Sequence, residues 1–308
     1  MRIFNDGQLI GDNKINYYKG KGNYAEVYNV YNDTNKIEAA LKVCHLQILP
    51  EDKKRFSREN DILHKLKVHD YIVAPLSNIN NVGNYCFYLM EWVESNLEEF
   101  IDKTNCDFKI KIDIFKNICI AIQHAHKLNV IHRDLWWANI LIKSTSTGEI
   151  PKISDFGRAK DFDAFQGSNL PLEAWGHAFV RPPEIDFKIW SEEELSKYSL
   201  SDIYALGIIL FYLFYGRPIA YYESLSKSYR MFKIGKPDID VLSATDKENE
   251  YYKWIKFTET FPNIKLNFSF PDNNITIKLN SLIERLCNLD YKKRFKNLDD
   301  ILLEINNR

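Results

Sequence analysis

The side chains best suited to chemistry lie in one stretch, Val130–Gly157, where two carboxylates and a carboxamide flank apolar segments. Asp134 stands five residues before Asn139, an apolar strand-like run follows, and a polar turn leads to a second strand that ends at Asp155. A hairpin of this kind can bring all three side-chain oxygens to one cleft. Proteins hold Mg²⁺ through few carboxylates together with phosphate oxygens, so this spacing suits a magnesium–polyphosphate site.

Composition and charge limit the classes of function that the chain can have. It has 308 residues, of which 45% are hydrophobic and 27% charged, and its net charge is −1. This is enough chain for one large or two small domains with a packed core. The balanced charge gives no support for a nucleic-acid or a membrane partner.

Disulfide patterns and targeting signals are not evident in the sequence. The five cysteines are odd in number and lack C-x-x-C spacing, which favours free thiols in a reducing compartment, and we predict a cytoplasmic location. The N-terminal residues have neither a basic region nor an apolar core, so no signal peptide is expected. The longest apolar run, Ala205–Phe214, is shorter than a membrane span requires.

The N-terminal third of the chain is predicted to begin with a small sheet. Residues 15–45 alternate as strands do, and the turn Asn32–Asn35 separates the second strand from the third. Gly20 and Gly22 lie in the first hairpin turn, where the absence of Cβ atoms lets a backbone approach phosphates, although such glycines usually only make the turn. Lys42 follows within an apolar strand, where a lysine is more often an exposed strand residue than a functional one.

A helix and two further strands are predicted to complete this region. Apolar residues recur at helical spacing over Glu51–Leu66. Glu59 lies beside that apolar face, within a run of charges where a glutamate is commonly only solvated, and Glu51 or Asp61 could take its place. Residues 71–93 then give two strands around a polar turn.

The remainder of the chain is predicted to be mainly helical. Phe108–Leu128 has an apolar stripe typical of a long buried helix, and Ser201–Tyr215 forms a second, very apolar helix. The tail Ile275–Asn307 is predicted to form two further helices. The long stretch Arg217–Asn274 carries aromatic residues that could form a partner surface, although aromatic residues at helical spacing are more often core.

In combination these motifs resemble the catalytic core of eukaryotic-type protein kinases. The chain carries H-R-D-x-x-x-x-N at 132–139, D-F-G at 155–157 and S-D-x-Y-x-L-G at 201–207, in family order. The resemblance implies an α+β, bilobal fold. Residues 1–92 would form a small antiparallel β-sheet lobe with one main helix, and residues 93–308 a larger, mainly helical lobe.

The resemblance also implies a role for each polar residue and makes ATP and Mg²⁺ the cofactors. Asp134 would orient the substrate hydroxyl and accept its proton, while Lys42, fixed by Glu59, would hold the α- and β-phosphates. Asn139 and Asp155 would hold the Mg²⁺. The positions implied to contact the nucleotide are Gly20, Gly22, Val27, Ala40, Lys42, Glu91, Val93 and Leu141.

Further implied features are structural or regulatory. The hinge Glu91–Val93 would bind adenine through its backbone, with Asn96 toward the ribose, and His132 would pack under Phe156 rather than act as a base. Residues 158–184 would form an activation loop.

Three more residues follow from the same resemblance. Glu184 would pair with Arg294, and Asp202 would hold the backbone of the H-R-D turn. Ser168 is the single hydroxyl side chain between Asp155 and Glu184, so it is the candidate phosphorylation site, although an ordinary loop serine is the commoner case.

Several departures from the family pattern bear on function. Ala25 replaces a third glycine, and Lys19 stands where an apolar residue normally covers the adenine. Trp136 stands where serine/threonine kinases place a lysine, Ala138 where tyrosine kinases place an arginine, and His177 replaces a threonine. An indole carries no charge to neutralise the transition state, so neither signature of hydroxyl preference is present.

Three functions are consistent with these residues. The first is an ATP-dependent protein kinase acting on a protein substrate, with serine or threonine as the default acceptor. The second is a pseudokinase that binds ATP as a scaffold. The third is a small-molecule kinase of the aminoglycoside or choline type. The sequence gives no indication of the oligomeric state.

Overall fold

The computed structural model of the protein describes residues 2–22, 24–45, 48–66, 69–164, 176–190, 195–261, 264, 266 and 274–306. An N-terminal sheet with one main helix is followed by a larger, mainly helical region. This architecture confirms the predicted α+β, bilobal fold. Ser168 lies outside the described residues.

The N-terminal lobe is a six-stranded sheet with the order β1-β2-β3-β4-β6-β5. Its strands are β1 (Leu9–Ile10), β2 (Asn13–Lys21), β3 (Glu26–Asn32), β4 (Ile37–His45), β5 (Asn80–Val82) and β6 (Tyr85–Glu91). Every neighbouring pair is antiparallel. The alternation over residues 15–45 therefore predicted three of these strands correctly.

Helix α1 (Pro50–Leu66) packs on this sheet and carries acidic residues in its first turn and basic residues in its last. That distribution complements the helix dipole. Its buried face includes Phe56, Leu63 and Leu66, and the Phe56 ring lies 5.0 Å from that of Tyr88 on β6. The helix is the predicted one, and it begins one residue earlier, at a proline that suits a first helical turn.

Short strands connect the sheet lobe to the helical lobe. β7 (Ser95–Asn96) pairs with β9 (Ile140–Thr145), which forms a hairpin with β10 (Gly148–Ile153). β8 (Val130–Ile131) pairs with β11 (Lys160–Asp161). The predicted hairpin is present, but its turn is tighter than the sequence suggested, because Thr145 pairs directly with Gly148. Gly148 adopts a φ of 135°, which few other residues tolerate.

The second lobe is built from helices around α5. Its described helices are α2 (Leu97–Lys103), α3 (Phe108–Lys127), α4 (Pro183–Asp186), α5 (Leu195–Tyr215), α6 (Ile219–Phe232), α7 (Ala244–Thr258), α8 (Asn274–Leu286) and α9 (Leu298–Asn306). In the stretch predicted as core or partner surface, Tyr251 and Trp254 are fully buried. The core interpretation is therefore correct for these two residues.

Helix α5 is longer than the apolar run that marked it in the sequence. Over the described residues, one window, Tyr198–Tyr215, is long and apolar enough to cross a membrane by length and composition, and 78% of it is buried inside the protein. The expectation that no run reaches that length was wrong. The burial is that of a central core helix.

The apolar core runs through both lobes. It includes Leu66 of α1, Ile153 of β10, Ile209 of α5, and Phe156 in the turn after β10. All five cysteines are free thiols, as predicted. The cleft between the lobes is therefore bordered by elements that share one core, which holds its polar groups in position.

Candidate active site

Three of the predicted site residues meet at one point between the lobes. Lys42 Nζ on β4 lies 2.5 Å from Glu59 Oε2 on α1 and 3.5 Å from Asp155 Oδ1. The Lys42 and Glu59 side chains are only 10% and 1% exposed. Lys42 is therefore not an exposed strand residue. Glu51 and Asp61, the alternatives to Glu59, are both exposed.

The charges of this group are coupled, because one ammonium faces two carboxylates. Burial would lower the pKa of Lys42, but Asp155 and Glu59 hold it well above its usual value. Burial would raise the pKa of Asp155, and Lys42 and His132 more than offset that effect and lower it. For Glu59, burial exceeds the effect of Lys42 and raises the pKa to about 7. Lys42 thus stays charged, as its predicted contact with phosphates would require.

Asp134 lies in the loop after β8 and has a partner on each carboxylate oxygen. The backbone N–H of His177 donates to Oδ1 at 2.7 Å, and Arg158 Nε lies 3.4 Å from Oδ2. Burial, followed by the charge of Asp155, raises the pKa of Asp134, while Arg158 opposes the shift. A carboxylate of raised pKa is a better proton acceptor than an ordinary aspartate.

The backbone that carries Asp134 is held by the buried carboxylate of Asp202 on α5. Its Oδ2 accepts from the His132 N–H at 2.9 Å, and its Oδ1 accepts from the Arg133 N–H at 3.0 Å. His126 Nε2 also lies 2.9 Å from Oδ2. Arg133 has a φ of 67°, a left-handed conformation that persists only where its surroundings hold it. The predicted anchoring of the H-R-D turn by Asp202 is therefore present.

His132 packs as the resemblance implied. Its ring centroid lies 4.6 Å from that of Phe156, and its Nε2 lies 3.1 Å from the carbonyl oxygen of Ser154. Both side chains are fully buried. The histidine is thus a packing residue beneath the D-F-G turn.

Asn139 and Asp155 provide the oxygen donors that a magnesium ion prefers. The Asn139 amide donates through Nδ2 to the backbone oxygen of Asp134 at 2.8 Å, which orients the carboxamide. Within the described residues, no group of three His, Cys, Asp or Glu side chains could hold a metal by itself. One carboxylate and one amide oxygen, completed by phosphate oxygens, fit Mg²⁺ rather than a metal enclosed by protein.

The predicted nucleotide-binding positions lie on strands that border the cleft. Val27 on β3 is the register partner of Lys42, and Ala40 on β4 is the partner of Met90 on β6. Ala40 and Val93 are buried, whereas Leu141 on β9 is half-buried. Gly20 pairs with Val27 on β3 after a shift in the register of β2, and the pairing continues to Lys21 and Glu26. Beyond it, the Gly22 N–H donates to Ala25 O at 2.8 Å.

Glu91 uses its side chain to anchor the hinge. Its carboxylate lies 2.8 Å from Lys143 Nζ and 2.9 Å from Lys152 Nζ, and its N–H donates to Ala74 O at 2.8 Å. Burial would raise the pKa of Glu91, but the two lysines lower it. A nucleotide contact at this position must therefore come from the backbone carbonyl, in keeping with the predicted hinge.

Lys19 forms a polar link between the glycine-rich strand and the second lobe. Its Nζ donates to the Glu94 carbonyl at 2.7 Å and to Glu99 Oε2 on α2 at 3.1 Å. Lys19, which stands where the family normally has an apolar residue, thus joins the two lobes at the mouth of the cleft. Asn96 Oδ1 accepts from the Glu99 N–H at 2.8 Å and caps α2. Its Nδ2 and the second lone pair of Oδ1 could still serve the predicted ribose contact.

Aromatic rings surround the candidate base. The Trp136 and His177 rings stack with centroids 4.0 Å apart and an angle of 9° between their planes. Trp137 is buried beneath them and stacks on Tyr212 of α5 at 4.6 Å. Two of the departures from the family pattern, at positions 136 and 177, are therefore one structural unit.

Two residues that lie at this site were not predicted from the sequence. Arg158 pairs with Asp134, and the signal available was a charged residue directly after D-F-G. Tyr24, at the tip of the glycine turn, lies over Gly157, where an added Cβ would be 2.5 Å from the Tyr24 hydroxyl oxygen. No motif indicated that contact, because it depends on closure of the two lobes.

The predicted structural ion pair is present below the site. Arg294 Nη1 and Nη2 donate to the two carboxylate oxygens of Glu184 at 2.5 and 2.9 Å, and both side chains are 0% exposed. Arg294 Nε also donates to Asn288 O at 2.7 Å. Burial would lower the pKa of Arg294, and Glu184 raises it beyond its usual value.

Comparison with known proteins agrees with this geometry. The family model described as a protein kinase domain matches residues 16–302. The chain is 30% identical over 226 residues to a calcium/calmodulin-dependent protein kinase type II from Caenorhabditis briggsae, which covers 71% of this chain and 40% of that protein. It is 29% identical over 209 residues to the serine/threonine-protein kinase PknK from Mycobacterium bovis, which covers 67% of this chain and 18% of that protein.

A third relative is a probable myosin light chain kinase from Dictyostelium discoideum, 26% identical over 201 residues, with 64% of this chain and 48% of that protein covered. The chain therefore spans less than half the length of each of these three relatives. The family match covers most of the chain, and the motif residues converge as that family requires. The chain belongs to the protein kinase family.

Proposed function

We propose that the protein is an ATP-dependent protein kinase that transfers the γ-phosphate to serine or threonine hydroxyl groups. The convergence of Lys42, Glu59 and Asp155 within 3.5 Å carries the proposal, with Asp134 in the adjacent loop. The acceptor preference is supported by the name of one relative, the serine/threonine-protein kinase PknK, and by nothing in the catalytic loop itself.

The roles follow from charge and position. Lys42 binds the α- and β-phosphates because its ammonium is kept charged and is aimed by Glu59. Asp134 orients the acceptor hydroxyl and takes its proton, aided by a raised pKa. Asp155 and Asn139 would hold Mg²⁺, which neutralises phosphate charge when it is bound. Catalysis of this kind depends mainly on positioning and electrostatics.

We also propose that the lobes divide as residues 1–92 and 93–308. β6 ends at Glu91, and β7 already pairs with β9 of the second lobe. The cytoplasmic location that we propose is consistent with the free thiols of all five cysteines.

A second function, the ATP-binding pseudokinase, is favoured by one observation. Trp136 and His177 form an uncharged stack where a catalytic cation is expected. The complete set of phosphate- and metal-binding groups favours the active enzyme instead. The two functions differ in turnover, because a pseudokinase would bind Mg·ATP without transferring phosphate.

The test incubates the purified chain with Mg·ATP, mixed peptide acceptors and aminoglycoside or choline acceptors side by side, and identifies phosphorylated products by mass spectrometry. We expect phosphate on serine or threonine of the chain or the peptides. Binding without transfer would support the pseudokinase, and transfer to the small molecules alone would support the small-molecule kinase. Either result would overturn the proposal.

A further inference from the structure

A positive charge lies beside the candidate base on a residue that no sequence motif assigns. Arg158 Nε is 3.4 Å from Asp134 Oδ2, and the two side chains are 26% and 13% exposed. The other oxygen of Asp134 accepts from the backbone N–H of His177, an uncharged donor, at 2.7 Å. Among the residues that the structure describes, Arg158 forms the ion pair of this carboxylate.

The chemistry of phosphoryl transfer requires a cation in this region. Negative charge spreads over the equatorial phosphate oxygens in the transition state, and a fixed positive group beside them lowers its energy. Trp136 contributes a neutral indole. Burial, with Arg181 and Arg158 nearby, lowers the pKa of His177, so the imidazole that stacks on Trp136 is neutral at pH 7.

The backbone around Arg158 is fixed by several contacts. Asp155 has a φ of 59°, and the short turn Phe156–Arg158 follows it. The Ala159 N–H donates to Phe156 O at 2.9 Å, and Arg58 Nη1 donates to Gly157 O at 3.4 Å. Arg158 therefore approaches the base from the same turn that carries the candidate metal ligand.

We propose that Arg158 supplies the catalytic positive charge that the catalytic loop lacks, by holding Asp134 and neutralising the γ-phosphate during transfer. A planar guanidinium can serve two anions at once, because its five N–H donors point in different directions. In this step a bond forms between the acceptor oxygen and the γ-phosphorus while the bond to the β–γ bridging oxygen breaks. Asp134 receives the hydroxyl proton, and ADP leaves with the bonding electron pair.

This inference rests on the proposed kinase activity and is tested by Arg158→Gln, with and without Trp136→Lys. Removing one fixed transition-state donor costs about 10²-fold in kcat, and we expect a loss of that size with little change in the KM for ATP. Adding Trp136→Lys to Arg158→Gln returns a cation to the loop and should recover about tenfold or more of the lost kcat. The matched control is Arg2→Gln, an arginine whose side chain is 54% exposed and pairs with Asp6 at 4.0 Å, and it should leave kcat unchanged.

Several outcomes would overturn the proposal. One is a kcat of Arg158→Gln at or above the wild-type value, which would mean that the contact only masks the base. Another is a double variant no faster than Arg158→Gln. Arg158→Lys keeps the charge and should retain more activity than Arg158→Gln. It also provides a second test if the glutamine variant folds poorly. A lysine variant as slow as Arg158→Gln would show that charge is not the contribution.

A binding measurement separates failure of this inference from failure of the kinase proposal. If the wild-type chain transfers no phosphate, the kinase proposal fails, and calorimetric titration with Mg·ATP and Mg·ADP decides the role of Arg158. Arg158→Gln should weaken ATP binding and leave ADP binding unchanged, because only ATP carries the γ-phosphate. Equal effects on both nucleotides, or none, would contradict the inference.

Discussion

Replacing Asp202 with alanine should destabilise the protein and disable the site together. The Asp202 side chain is buried on α5, and it accepts from the backbone N–H groups of His132 and Arg133 and from the ring of His126. Those N–H groups belong to the turn that presents Asp134. The substitution removes their acceptor in a place that water does not reach.

The size of the effect follows from the groups left without a partner. A buried donor that loses its acceptor costs about 1–3 kcal/mol, and Asp202→Ala strands the backbone donors of His132 and Arg133. We therefore expect a loss of about 4 kcal/mol in the free energy of unfolding. Domains are stable by only about 5–15 kcal/mol, so the loss is a large part of the total.

The assay is urea denaturation at pH 7, with Asp113→Ala as the matched control. Asp113 is an exposed aspartate of α3, and its replacement should change the unfolding free energy by no more than about 0.5 kcal/mol. An Asp202→Ala protein as stable as this control would refute the reasoning.

The pH dependence of the same variant gives a second check. Burial would raise the pKa of Asp202, but the hydrogen bond from His126 and the other donors lower it below its ordinary value of 3.8. Because the folded-state pKa is the lower one, the carboxylate stabilises the fold above pH 3.8 and loses that contribution as the pH falls further. The difference in the free energy of unfolding between wild type and Asp202→Ala should therefore narrow below pH 3.8. A gap that widens on acidification would contradict the account.

Two further predictions concern buried charges. Arg294→Met leaves the Glu184 carboxylate buried without its cation and should lower the free energy of unfolding, measured in urea, by about 3–5 kcal/mol. Adding Glu184→Leu should recover most of that loss. A double variant that recovers nothing would mean that packing, not charge, is responsible. The pKa of Glu59 is about 7 in the folded protein and 4.5 in the unfolded chain. Between these pH values the folded state therefore binds a proton that the unfolded state has lost, and the free energy of unfolding of the wild type should fall as the pH rises from 4.5 to about 7. Glu59→Gln lacks this titration, so its free energy of unfolding relative to wild type should rise by on the order of 1 kcal/mol per pH unit over this range. A difference that stays constant with pH would contradict the raised pKa.

The contacts that depend on local pattern could be predicted from the sequence. The alternation of β2 to β4 and the apolar face of α1 define which sides are buried, and these sides bring Lys42 and Glu59 together. The hairpin that carries Asn139 and Asp155 follows from two apolar runs around a polar turn. In each case the periodicity of the element determines the direction of the side chain.

The contacts that depend on unusual backbone or on lobe closure could not be predicted. Arg158 reaches Asp134 from a turn that follows Asp155, whose left-handed φ of 59° leaves no periodic pattern in the sequence. Lys19 meets Glu94 and Glu99 across more than 70 positions of the chain, through the relative placement of the two lobes. Such long-range contacts leave no periodic signal in the sequence.

The most direct test of the central claim is phosphate transfer by the purified chain, followed by mass spectrometry after incubation with Mg·ATP. The account predicts Mg²⁺-dependent phosphorylation by wild type and by Asp113→Ala, and almost none by Asp155→Ala, because a kinase depends on the groups that position the phosphates. The Asp155→Ala protein must remain folded in urea denaturation for the comparison to hold. Wild-type turnover in Asp155→Ala, or a wild-type chain that binds Mg·ATP and transfers no phosphate, would contradict the claim.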